Sequence, residues 1–127
     1  MTDRAKQLDD LARLTDAALR AEQAKMAQCN RAISAVRAQL ASLKPAREAR
    51  PMVDRAADPA QLAGADLRWQ MWVEQRRKAL NQELAQLFVT QDILKAALGR
   101  AFGKNVATAT LAKREHEARR RNAARRL

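Results

Sequence analysis

The stretch Pro45-Ala46-Arg47-Glu48-Ala49-Arg50-Pro51-Met52-Val53-Asp54-Arg55-Ala56-Ala57-Asp58-Pro59 holds all three prolines of the 127-residue chain. Proline removes a backbone donor and clashes with the preceding helical turn, so a cluster of three divides whatever helices lie on either side. Both flanks carry helical apolar spacing. The chain therefore reads as all-α, a long two-helix antiparallel coiled-coil hairpin forming one domain over residues 1–127. Helix 1 is expected over about 3–44, a connector over 45–58 and helix 2 over about 59–124.

In the first arm Leu19, Met26, Cys29, Ile33, Val36, Leu40 and Leu43 follow the alternating three-and-four spacing of a coiled-coil seam, with Glu22 at one seam position. Upstream, Leu8, Leu11, Thr15 and Ala18 read as the same spacing shifted by about one residue, the pattern of a stutter. Asp3 is placed to cap the start, and Pro45 is expected to stop the helix.

The second arm opens on Asp58-Pro59-Ala60-Gln61: an N-cap acid, a proline at the first helical position and a glutamine three residues after the cap. Its seam runs through Val73, Leu80, Leu84, Leu87, Gln91, Leu94, Leu98 and Ala101. Gly64 is a weak point near the start. Gly99 and Gly103 lower helix propensity by up to about 1 kcal/mol each, so a bend is expected near 99–105. Trp69 and Trp72 are three apart while Val73 is on the seam, so at least one indole sits beside the seam, either closing the hairpin or serving as an exposed anchor for a partner.

Composition agrees with long helices: 47% hydrophobic, 31% charged, three glycines and no tyrosine. A two-helix seam buries few bulky residues, so the hairpin is expected to be modestly stable with fraying ends. The net charge is +11, and the last seventeen residues carry seven basic groups against two acidic ones. Such an end attracts acidic surfaces, whether nucleic acid, anionic lipid or protein. The N-terminus lacks the apolar core of a signal peptide, and no apolar run reaches the roughly 18 residues of a membrane span. A cytoplasmic location is expected.

Cys29 reads as a small seam side chain and His116 as a solvated residue of the tail. With no glycine-rich phosphate loop, no carboxylate pair fixed in a pocket and no nucleophile beside a histidine, neither enzymatic activity nor a cofactor, metal or small-molecule substrate is expected.

Over nearly its whole length the chain resembles the FliJ family, small coiled-coil proteins of the flagellar type III export apparatus, with the virulence-secretion YscO-like stalk proteins as relatives in role. The segments are Gln39-Leu40-Ala41-Ser42-Leu43, then Leu67-Arg68-Trp69-Gln70-Met71-Trp72-Val73, then Leu98-Gly99-Arg100-Ala101-Phe102-Gly103-Lys104 leading into a basic end. The resemblance implies a cytoplasmic stalk or adaptor that enters and stimulates a hexameric export ATPase (FliI-like) and contacts an export gate protein (FlhA-like) and export chaperones. It would reach the inner membrane's cytoplasmic face only through these partners. The family's gate-contact positions fall on Gln39, Leu43, Trp72 and Ala79. The tyrosines that family members often carry after the first helix are replaced by Ala46 and Arg50. Contact with the ATPase ring is expected from Arg4, Lys6, Arg119, Arg120, Arg121, Arg125 and Arg126. The alternative is a basic coiled coil that binds nucleic acid or serves as a general interaction protein. Nucleic acid is disfavoured because no aromatic residues interleave with the arginines of the tail.

Overall fold

The computed structural model describes residues 2–48 and 59–127, and it is an all-α, two-helix hairpin. Helix α1 spans Thr2–Glu48 and α2 spans Pro59–Arg125. No strand occurs among the described residues. Residues 49–58, which include most of the connector and the Asp58 cap position, lie outside the described residues, but Pro59 is the first residue of α2 as the sequence indicates.

Two helix boundaries differ from expectation. Pro45 does not stop α1, which continues to Glu48. A proline costs its own hydrogen bond, but the residues after it still have carbonyls one turn back to bond, so one final turn survives. Asp3 lies inside the first turn and not before it, where its charge still opposes the positive end of the helix dipole. No break appears at Gly99 or Gly103 either. Helix α2 runs through both, and none of the glycines has a positive φ.

Packing divides the chain into two compact units. One joins α1 up to Gln28 with α2 from Gln91 onward, and the other comprises Cys29–Thr90. The second holds the bulky core. Val36, Leu43 and Leu80 are buried against one another, with Leu40, Leu84 and Leu87 packed around them. Leu80 and Val73 are each 1% exposed. The Cys29 thiol, also buried, donates to the Leu87 carbonyl at 3.6 Å. The Arg37 guanidinium lies 5.4 Å from the centre of the Phe88 ring. These cross-helix contacts pair later residues of α1 with earlier residues of α2, the antiparallel sense.

The other unit has a narrower, more polar interior. Its buried residues are Ala5, Leu19, Thr108 and Ala112. Ala12 and Thr15 are half-buried, whereas Leu11 is 44% exposed and Ala18 is exposed. Ala5, Leu8, Ala12, Thr15 and Leu19 thus keep a single alternating three-and-four phase, and the expected stutter is absent. Small side chains fill this seam, so Ala12 enters it while the larger Leu11 is left outside. At its centre the hydroxyls of Thr15 and Thr108 lie 2.7 Å apart, and the Asn105 amide donates to Thr15 Oγ1 at 3.4 Å. The Thr15 and Thr108 hydroxyls also reach the backbone carbonyls of Ala12 and of Lys104 and Asn105. The Thr15, Asn105 and Thr108 polar groups are therefore paired, and a mutual hydroxyl contact ties one α1 level to one α2 level. Glu22, at its seam position, accepts from Lys25 at 3.2 Å through Oε1, whereas its buried Oε2 has no partner.

Denaturation followed by circular dichroism tests both the core and the glycine positions. Leu80→Ala should destabilise the chain by about 2–5 kcal/mol, since the site is enclosed. Gly64→Ala should stabilise it by about 0.5–1 kcal/mol, because a Cβ there would meet no atom within 4 Å.

Candidate functional site

The terminal segments of the chain share one unit, and an ion pair and a hydrogen bond across the helices join them. The Glu115 carboxylate lies 3.8 Å from Arg4 Nε through one oxygen and 3.8 Å from Arg119 Nε through the other. His116 Nε2 lies 3.1 and 3.2 Å from the two Asp9 oxygens. The histidine expected to be merely solvated is thus half-exposed but paired across the hairpin. Exposed pairs of this kind contribute roughly 0–1 kcal/mol each. They align the two segments more than they hold them.

The acids of α1 are mostly engaged nearby: Asp10 with Arg13 at 3.8 Å, Asp16 with Arg20 at 3.1 Å, and Asp9 with His116. Arg120, Arg121, Arg125 and Arg126 are exposed, as are Lys113 and Arg114, and none forms an ion pair among the described residues. Lys6 is exposed and unpaired in the same sense, and Arg4 is exposed apart from its long contact with Glu115. All seven residues expected to meet an ATPase ring therefore fall in one unit, and all but Arg119 are open to solvent. Positive charge at the end of a helix also complements the negative end of its dipole, so part of this arginine content serves the helix itself.

The four expected gate-contact residues fall in the unit Cys29–Thr90. Gln39, Trp72 and Ala79 are exposed, whereas Leu43 is buried in the core beside Val36 and Leu80. Leu43 packs the hairpin and offers no free face. Trp72 is 51% exposed and stacks on half-buried Trp69, with ring centres 5.4 Å apart and planes at 22°. One indole of the pair is thus tucked in and the other is presented to solvent. Leu67 and Met71, both more than half exposed, form a separate apolar pair four residues apart on α2. Their i, i+4 spacing off the seam was the signal available for them. Glu74 and Arg77 form a short exposed pair at 2.7 Å close by in sequence.

Among the described residues, no group of three or more His, Cys, Asp or Glu side chains is arranged to hold a metal ion, and no helix is long and apolar enough to cross a membrane. No family model matches the chain, and no curated protein or solved structure matches it.

Exposed and packed members of the gate set respond differently to truncation. Trp72→Ala should abolish the near-ultraviolet dichroism of the stacked indoles yet change unfolding free energy by less than about 1 kcal/mol. Leu43→Ala should cost about 2–5 kcal/mol.

Proposed function

We propose that the chain is a non-catalytic stalk or adaptor of a type III protein export apparatus of the flagellar kind. Its terminal segments enter and stimulate a hexameric export ATPase, and the region around Trp72 meets an export gate protein and export chaperones. In this reading the protein works in the cytoplasm and reaches the inner membrane only through its partners. The observation that carries the ring contact is the unneutralised arginine set in the unit where both terminal segments lie. Long-range attraction between that cationic end and an acidic or polar ring steers insertion without demanding one fixed geometry, which suits a part that turns or tilts inside the ring. For the gate contact, the support is the exposed Trp72 indole, because aromatic side chains dominate protein interfaces. Within that contact Gln39, Trp72 and Ala79 touch the partner, and Leu43 holds the helix that presents Gln39.

Replacing Arg119, Arg120, Arg121, Arg125 and Arg126 together by Gln tests the ring assignment, read as stimulation of a purified hexameric export ATPase over a salt series. Stimulation should fall sharply at low salt, and its salt dependence should flatten. Unchanged stimulation with unchanged salt dependence would rule the assignment out. The same salt series with duplex DNA separates the nucleic-acid alternative, which predicts that the unsubstituted chain binds DNA with a steep salt slope and leaves the ATPase unaffected.

A further inference from the structure

Helix α2 carries a second heptad stripe, on the face roughly opposite its buried seam. Asp92, Ala96, Gly99, Gly103, Val106, Thr110 and Lys113 alternate four and three residues apart, and each is exposed. All lie in the unit that contains α2 from Gln91 onward. Beside them Phe102 is 58% exposed, and Val106 itself is 46% exposed. From Ala96 to Thr110 the stripe contains no charge. The Thr110 hydroxyl donates to the Val106 carbonyl at 2.8 Å, so its hydrogen is satisfied within the helix.

The glycines are the unusual feature of this face. Each costs a helix interior about 1 kcal/mol relative to alanine, yet neither adopts a positive φ, and a Cβ at either would meet nothing within 4 Å. Nothing among the described residues therefore requires glycine at 99 or 103. Close approach of another helix does require it, because small residues recurring along a stripe let two helix axes come together. Exposed Phe102 and Val106 supply the large side chains that would fill such notches.

The pattern is self-complementary about the midpoint between Phe102 and Gly103. Asp92 lies ten and a half residues before that point and Lys113 ten and a half after it, about 16 Å either way at the helical rise. In an antiparallel pair of α2 helices centred there, Asp92 of each copy lies level with Lys113 of the other. Gly99 lies level with Val106, and Phe102 with Gly103. Neither Asp92 nor Lys113 forms an ion pair among the described residues. An isologous two-fold contact demands this arrangement, with each residue meeting its counterpart twice.

The charge distribution selects the same direction. A parallel pair would set the two arginine-rich ends side by side. An antiparallel pair puts Arg119 of one copy about 50 Å along the axis from Arg119 of the other, far beyond the ~8 Å screening length at physiological salt. The contact is small. Twenty-two residues of helix cover about 33 Å by roughly 10 Å, a few hundred Å² per copy, whereas a standard interface buries about 800 Å² on each partner. Association is accordingly weak and depends on concentration.

We propose that this outward face of α2, centred on Gly99 and Gly103, is a docking site for the same face of a second copy in antiparallel orientation. The inference is independent of the stalk reading. Sedimentation equilibrium of the full chain, from about 10 µM to about 1 mM at ~0.15 M salt, tests it. The average mass should climb from 14.2 kDa toward twice that value. Gly103→Leu fills the notch and retains full helicity, so it should weaken association by roughly tenfold or more. Asp92→Lys should also weaken it, and Asp92→Lys combined with Lys113→Asp should restore it. A constant monomer mass over the whole range would overturn the proposal. So would undiminished association of Gly103→Leu, or failure of the double charge reversal to recover what the single one lost.

Discussion

A helix whose apolar residues recur every three and four positions presents a narrow stripe, and only another stripe of the same period buries it along its length. This chain has two such helices joined by a short connector, so folding back is the arrangement that covers both stripes. The seam is chemically uneven. The unit Cys29–Thr90 fills it with Val36, Leu43, Val73 and Leu80, where each well-buried side chain contributes about 1.5–3 kcal/mol. In the other unit Leu19 is buried, but Ala5, Ala12, Thr15, Thr108 and Ala112 line much of it. Those small residues supply little hydrophobic stabilisation, and the threonine pair supplies register instead.

That unevenness matters for function. The terminal segments, whose last seventeen residues carry seven basic groups against two acidic ones, are held by the weaker kind of packing, by the Arg4–Glu115 ion pair and by the Asp9–His116 hydrogen bond. Mutual repulsion among arginines opposes compact order there. The exposed aromatic surface is instead mounted on the bulkier core, where Val73, next to Trp72, is almost completely buried. In the proposed function, electrostatic attraction operates where packing is weak, and the aromatic contact stands on the bulkier core.

Much of the fold was legible in the sequence because bulky side chains mark the seam from Leu19 to Leu43 and from Val73 to Leu98. Toward the N-terminus side-chain size misleads: Leu11 looks like the core residue, but Ala12 occupies the position because the phase set by Leu19 and Thr15 continues unbroken. Pro45 was read by its usual effect, yet a proline one turn from a helix end costs a single bond. The Asp9–His116 and Arg4–Glu115 pairs join residues more than a hundred positions apart, so no local spacing announces them. Leu43 shows the opposite difficulty, since a position assigned to partner contact by resemblance is also a seam position, and packing claims it.

Register is the property on which every other assignment rests, and a cross-link reads it directly. In a Cys29→Ala background, Thr15→Cys combined with Thr108→Cys should form a disulfide within one chain on mild oxidation in dilute solution, since the native hydroxyls lie 2.7 Å apart. Thr15→Cys combined with Ala101→Cys, one heptad away on α2, should remain reduced under the same conditions. Efficient bridging of the displaced pair in place of the matched one would contradict the pairing of α1 with α2 described above.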